Sequence, residues 1–300
     1  MNLKRVFVVL NPVAGTTKPD EVRQLLEQGF RRAGWAWEIY TTTGDEDLPV
    51  LVRRKSQQGF DLLVAAGGDG TFSGVASGVV QTEVPLSILP LGTVNTMARE
   101  LGIPMALEEA RDVLLGDHEL RAVDGMQVDG GARHFFLNLS LGVSAAMMRD
   151  TRRAEKQKMG WVAYLWGGLR ALSGFQPARF TLTVDEEAYT VRATDVVVAN
   201  NSAVGVPEFQ LGPDIRLDDG LINVCVIRAR SIWDYARAAW AIVTMQQKRY
   251  SHLRFFEARR TIRICSHPRL PVQADGDFID QQSVEIRIVP RAVRVVVPKR

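Results

Sequence analysis

Residues 62–78, LLVAAGGDGTFSGVASG, set a carboxylate in a glycine-rich turn between an apolar run and a helical pattern. The run reads as a buried strand, and ligands of open α/β sheets bind at the carboxyl ends of such strands. Gly67, Gly68 and Gly70 permit close backbone approach. The helix opening near Thr71 offers free N–H groups and a positive dipole end, which suit a phosphate. Asp69 would repel that phosphate unless it held Mg²⁺ or a water on Mg²⁺. Its other reading is a plain turn or helix cap. No Gly-Lys-Ser/Thr follows, so the turn is not a Walker loop. Two more strand ends repeat the plan. LNPVAG (10–15) carries Asn11, and PLGTVNT carries Gly92 and Thr93 ahead of Asn95 at a helix start. Three such turns on adjacent strands form a nucleotide crevice. Two later turns, Asp218-Asp219-Gly220 and Asp275-Gly276-Asp277, also hold carboxylates; alone, they read as β-turns before strands.

Over the first 120 residues, apolar runs at 6–11, 37–43, 61–67 and 86–92 alternate with helical patterns, among them one carrying Val22, Leu25, Leu26 and Phe30. Such alternation predicts a parallel sheet covered by helices. Near residue 122 strand-like runs take over: HFFLNLSLG, RFTLTVD, TDVVVANNS, GLINVCVIRA, RTIRICS, VEIRIVP and VRVVVP. They predict a mainly antiparallel β-sandwich, with helical inserts at about 145–174 and 231–248. The expected division is an α/β domain over 1–124 and a β-rich domain over 125–290, with 291–300 returning to the first.

Composition is that of an ordinary globular protein, 46% hydrophobic and 24% charged. The charge is uneven: residues 1–124 hold 12 Lys+Arg against 17 Asp+Glu, and residues 125–300 hold 25 against 17. The second part is therefore the one to meet an anionic surface. Cys225 and Cys265 lie in apolar runs and read as buried free thiols. The N-terminal MNLKRVFVVLNP reads as a strand and not as a leader, and the most apolar helical stretch is too short and too charged to span a bilayer. A cytoplasmic protein is expected.

NPVAG, GGDGT, PLGTVNTMARELGIP, DDGLINV and ADGD, in that order from residue 11 to residue 277, resemble the diacylglycerol kinase catalytic family, which includes sphingosine kinases and bacterial lipid kinases. The resemblance implies an NAD kinase/diacylglycerol kinase-like fold and an enzyme that moves the γ-phosphate of ATP, with Mg²⁺, to a lipid hydroxyl. It implies ATP contacts at Gly68, Asp69, Gly70 and Thr71, at Thr93, and more loosely at Thr41. It implies a structural Mg²⁺ at the side chain of Asp219 with the main chain around Arg216 and Leu221. The family's general base, a Glu after Asp-Gly, falls on Asp277, one methylene shorter; Asp275 is a second candidate. In this scheme Asp69 positions metal-bound phosphates and Asp277 accepts the hydroxyl proton. Two further departures are Ser73-Gly74, where the family has Asn-Glu, and GVPEFQLGP before the DDG turn.

A lipid acceptor requires peripheral contact with a membrane, here at its inner face. Residues 147–179 hold seven Lys/Arg and two acids among Trp161, Tyr164, Trp166 and Phe175. Residues 228–263 hold nine and two, among them Trp233, Tyr235 and Trp240. Basic residues mixed with aromatics suit an anionic surface. For the apolar part of 231–247, burial against the sandwich is expected instead. No nucleic-acid module accompanies the charge, and a homodimer is compatible with the sequence. The rival readings are an NAD kinase-like enzyme with a soluble acceptor and a binding protein that has lost its chemistry.

Overall fold

In the computed structural model, described for residues 4–146, 177–204, 206–211, 215–229, 231–244, 246, 250–279, 281 and 283–299, the chain opens with strand–helix alternation. Strands β1 (Arg5–Leu10), β2 (Ala36–Thr41), β3 (Leu62–Gly67) and β4 (Leu86–Pro90) alternate with helices α1 (Pro19–Ala33), α2 (Leu48–Ser56) and α3 (Asp69–Val79). Helices α4 (Thr96–Glu100) and α5 (Leu107–Leu115) follow. The strands pair in parallel in the order β2-β1-β3-β4. Local signals explain the helices. Helix α1 has Pro19 in its first turn, Asp20 and Glu21 at its positive end, Arg31 and Arg32 at its negative end, and Gly34 left-handed beyond. Strands β3 and β4 are buried along their whole length, as a parallel sheet covered on both faces requires.

The described elements that follow are mostly strands. They are β5 (His118–Val128), β6 (His134–Phe135), β7 (Asn138–Gly142), β8 (Ala178–Val184), β9 (Glu187–Ala193), β10 (Asp195–Ala199), β11 (Ala203–Val204), β12 (Val206–Gln210) and β13 (Ile222–Ile227). Helix α6 (Ile232–Val243), β14 (Leu253–Ala258), β15 (Thr261–His267), β16 (Val272–Ala274), β17 (Asp277–Ile279) and β18 (Ser283–Pro298) complete the described chain. An antiparallel sheet runs β14-β13-β10-β7-β16-β17. Its inner face, with Leu139, Val196, Val198, Val224 and Val226, packs on Phe180, Leu182, Ile262, Ile264, Val284 and Ile286. This is the mainly antiparallel sandwich expected.

Two expected strands, VEIRIVP and VRVVVP, are one. The 16-residue β18 pairs antiparallel with β15 and β5 and, at Val295, in parallel with β4. It joins the parallel sheet to the outer sandwich sheet in a single ten-stranded sheet. A register shift between Val289 and Val293, with Arg291 at φ 49°, lets the strand bend between its two sets of partners.

Helix α6 packs Ala238, Ala241 and Ile242 toward the sandwich, with Val197, Ala199, Cys225 and Leu253 beneath. The expected burial of 231–247 therefore holds for one face only. Trp233 and Trp240 are 72% and 70% exposed, because residues two turns apart share the stripe facing away from the sheet. Both cysteines are free, but only Cys225 is buried; Cys265 is half-buried on its strand. Residues 147–176, with Trp161, Tyr164, Trp166 and Phe175, lie outside the described residues, as does nearly all of the insert expected at 145–174. Among the described residues no helix is long and apolar enough to cross a membrane.

Candidate functional site

The carboxyl ends of β1, β3 and β4 carry the three polar turns, and the turns interlock. A Cβ on Gly92 would stand 2.6 Å from the Gly68 Cα, and one on Gly15 would stand 1.9 Å from the Leu91 carbonyl oxygen. Backbone packs on backbone here, which only glycine allows. Asn11 spans two turns: its Oδ1 accepts from Val13 N–H at 3.1 Å, and its Nδ2 donates to Thr71 Oγ1 at 3.2 Å. Asn95, left-handed at φ 52°, closes its own turn, its Oδ1 accepting from Gly92 N–H and its Nδ2 donating to the Gly92 carbonyl.

Asp69 lies inside the first turn of α3, two residues before the helix start expected at Thr71. Its carboxylate accepts from the N–H groups of Thr96 at 3.0 Å and Met97 at 3.1 Å, which open α4. Asp69 thus caps a helix, but not its own: it ties the first glycine turn to the second. The far end of α4 is also tied. Glu100 Oε1 accepts from the N–H groups of Ser202 and Ala203 at 3.0 Å each, and from the Ser202 hydroxyl. The whole PLGTVNTMARE stretch is thereby fixed between α3 and the loop after β10.

A cleft of about 670 Å³ opens over these turns. Asn11, Gly15, Gly68, Gly70, Thr71, Gly92, Thr93 and Asp277 line it, with Thr42, Thr43, Glu46, Arg133 and Asp275. A cavity of this size takes a small-molecule ligand. Gly67, Asp69 and Asn95 stand behind the lining. Thr41 also faces elsewhere, its Oγ1 accepting from Arg23 at 2.8 Å. The residues after it, Thr42 and Thr43, meet the cleft instead.

ADGD forms the β16–β17 hairpin. Asp275 and Gly276 both have positive φ, 46° and 89°, as a two-residue primed turn demands. Ala274 and Asp277 pair across it. Asp275 is engaged by four donors. Its half-buried carboxylate accepts from Ser73 Oγ at 2.6 Å and from the N–H groups of Phe136, Leu137 and Asn138 at 2.7, 3.0 and 3.0 Å. Burial raises its pKa, against the pull of those four donors. It is a positioning residue that fastens α3 and the β6–β7 turn to the hairpin. Ser73, a departure from the family pattern, supplies one of those bonds. Asp277 opens β17 toward the cleft, ion-paired with Arg133, whose guanidinium lies 5.5 Å from the centre of the Phe135 ring.

Sequence reasoning missed Arg133, Glu46 and Glu100. Arg133 stands in an irregular loop with no local signal. Glu46 accepts from Thr43 N–H, Thr43 Oγ1, Gly44 N–H and the Tyr40 hydroxyl, at 2.7 to 2.9 Å, and shapes the β2–α2 loop. The backbone N–H of Thr43 leads the interactions that hold its carboxyl at about 2, and the hydrogen bond that the Tyr40 hydroxyl donates to Glu46 raises the Tyr40 phenol.

The DDG turn lies apart from the cleft. Asp218 accepts from Arg121 at 3.2 Å and from Arg216 at 3.3 Å, beside a second cavity of about 690 Å³. Asp219 Oδ1 accepts from Leu221 N–H at 2.9 Å. Buried Asp124 accepts from the N–H groups of Gly220 and Arg291, at 2.6 Å each. Burial raises its pKa, with Asp219 and Asp218 adding to the rise. Three carboxylates thus meet at one turn, and Asp219 has no cation partner among the described residues. The exposed carboxylate of Asp219 is a hard-oxygen donor of the kind Mg²⁺ takes. Among the described residues no three His, Cys, Asp or Glu side chains cluster for a metal.

Residues 5–128 match the model of the diacylglycerol kinase catalytic domain. Residues 138–297 match that of the YegS C-terminal NAD kinase beta sandwich-like domain. The chain is 26% identical to the diacylglycerol kinase of Bacillus subtilis (strain 168), over 99% of this chain and 97% of that one. It is 29% identical to a protein of Stenotrophomonas maltophilia (strain K279a) named "Probable lipid kinase YegS-like", over 93% and 92%. A crystal structure of a diacylglycerol kinase from Bacillus anthracis str. Sterne superposes with a TM-score of 0.78 at 22% identity, covering 99% of this chain and 98% of that one, and shares the fold. The two matched domains follow one another along nearly all of the sequence, and the chain belongs to the diacylglycerol kinase catalytic-domain family whose second domain is the YegS-type, NAD kinase-like β-sandwich.

Proposed function

We propose that this protein is an ATP-dependent lipid kinase that transfers the γ-phosphate to a lipid hydroxyl. The observation that carries the proposal is the placing of Asp277, paired with Arg133, on the cleft lined by the three strand-end turns. Phosphoryl transfer needs a phosphate cradle, charge neutralisation and a group that orients the acceptor hydroxyl. In this reading the backbone around Gly68, Gly70, Thr71, Gly92 and Thr93 cradles the phosphates, and Asn11 and Thr71 brace the first two turns. Asp277 accepts the hydroxyl proton and Arg133 holds its carboxylate in place. Asp69 acts through α4, as a positioning residue. A Mg²⁺ bound with the nucleotide would supply charge neutralisation at the phosphates. A second, structural one would be held by Asp219 with the main chain of Arg216 and Leu221.

The proposed division is 1–124 for the nucleotide and 125–290 for the acceptor and the metal, with 291–300 returning to the first domain. The β18 register shift supports it, since it falls opposite Asp124 and Gly125. The relatives named for diacylglycerol and lipid support a lipid acceptor. The test is transfer from γ-labelled ATP with Mg²⁺ to vesicles of mixed lipid extract, with NAD in a parallel tube. Label in the organic phase that disappears in Asp277→Asn supports the proposal. Label in NADP, or ATP binding without transfer to a panel of lipid alcohols, overturns it.

A further inference from the structure

Helix α6 is built firmly and finished wrongly for water. Its start carries a full capping box, Ser231 Oγ accepting from Asp234 N–H and the Asp234 carboxylate accepting from Ser231 N–H. Tyr235 donates to buried Asp195 at 2.7 Å, and Tyr250 donates to the Asp234 carbonyl at 3.2 Å. Ala238, Ala241 and Ile242 meet the sandwich. Yet the outer stripe presents Trp233, Ala236, Arg237 and Trp240, all exposed.

We infer that this stripe is a membrane-docking surface, with Trp233 and Trp240 seated among the headgroups and acyl ends of an anionic leaflet and Arg237 on the phosphates. Three observations choose the bilayer over a protein partner. Indole has an apolar body and one N–H, which suits the depth where headgroup meets hydrocarbon. The Arg237 side chain is 71% exposed between the two rings; its ion-pair partner at 4.0 Å, Asp234, is only 13% exposed and is also engaged in the cap. In the sequence that carries the helix, residues 228–263 hold nine Lys/Arg against two acids. The area also speaks against a second copy. At 72% and 70% exposure the two rings offer roughly 350 Å², well under the ~800 Å² that each partner contributes to a stable interface. A helix of 12 residues lies in the interface plane rather than across it. The inference deepens the proposed lipid kinase reading by naming the surface through which the enzyme meets its substrate, but its test needs no catalysis.

The experiment is cosedimentation, without nucleotide, of the whole protein with phosphatidylcholine vesicles and with vesicles of phosphatidylcholine and phosphatidylglycerol. The variants are Trp233→Ser/Trp240→Ser and Arg237→Glu, each checked for native circular dichroism. The wild type is expected to prefer the anionic vesicles, and the double variant to bind them about tenfold or more weakly. Arg237→Glu is expected to lose the preference for anionic lipid. In the wild type, brominated lipid should quench tryptophan emission, and the quenched part should be missing from the double variant. Binding of the double variant within about twofold of the wild type overturns the inference, as does absence of wild-type binding. Loss of a wild-type dimer in the double variant also overturns it, in favour of a second copy. A kinase assay separates the two readings. Vesicle binding without lipid phosphorylation keeps the docking surface and removes the activity. Phosphorylation of vesicle lipid that the double variant retains in full removes the docking surface alone.

Discussion

Replacing Asp69 by alanine separates two roles for the carboxylate in the glycine turn. If it serves the fold, its work is the pair of bonds to Thr96 and Met97 N–H, at 3.0 and 3.1 Å. A hydrogen bond to a charged acceptor contributes about 1.5–3 kcal/mol, and the half-buried position of Asp69 argues for the lower end. Two such bonds make about 3 kcal/mol, and the buried N–H of Met97 is left without its acceptor. For a chain of this size that is a fall in melting temperature of about 6 °C. Asp69→Asn keeps one acceptor and should lose about half as much. Thermal unfolding at pH 7, followed by calorimetry for all three proteins, reads the difference. Transferase activity should fall in Asp69→Ala because α4 and the Gly92 turn lose their anchor. The reasoning is refuted if Asp69→Ala melts within about 1 °C of the wild type and yet loses its activity. The carboxylate would then act on a ligand, and the bonds to α4 would be incidental.

Three other expectations bear on the site and its frame. Asp277→Asn should lower kcat about 10²-fold or more with an unchanged melting temperature, and retention of activity would exclude Asp277 as the base. Asp275→Ala strands four donors in a half-buried place and should cost about 4 kcal/mol or more, whereas Asp275→Asn should cost less; equal, small losses in urea titrations would contradict the positioning role. The third concerns pH. Burial raises the carboxyl of Asp195 from 3.8 to about 6, against the opposing bonds from Ser144 and Tyr235. Between those values the folded protein holds a proton that the unfolded chain releases. Stability from this group therefore falls as pH rises through the window, by about 3 kcal/mol, and is level above it. The stability difference between wild type and Asp195→Asn, measured in urea at pH 4 and pH 7, should change by about that amount in favour of the variant, and a constant difference would refute the assignment.

The alternation of β1 to β4 with α1 to α3 was legible in the sequence because each strand is an unbroken apolar run and α1 carries its own stop and start residues. The crevice was legible for the same reason, since Asn11, Gly68, Gly92 and Thr93 stand at strand ends that a parallel sheet brings to one edge. What the sequence left open was which way the polar groups turn. Asp69 could have faced a ligand or a helix, and its partners, Thr96 and Met97, lie 27 and 28 residues away. The Asp275-Gly276 pair announces a primed hairpin, but not that Ser73 and the β6–β7 turn would close on Asp275 from elsewhere in the chain.

Local signals decide strands, turns and helices, because propensity, capping and glycine geometry act over a few residues. The sequence by itself therefore determined the strand–helix order of the first part, the strand-rich second part and the three turns that line the cleft. The tertiary structure alone decided that β18 joins both parts in one sheet, that Arg133 reaches Asp277, that Thr42 and Thr43 replace Thr41 at the cleft, and that Trp233 and Trp240 face outward. Each of these depends on which surfaces meet after long stretches of chain have folded, and such contacts leave no periodic trace in the residues that make them.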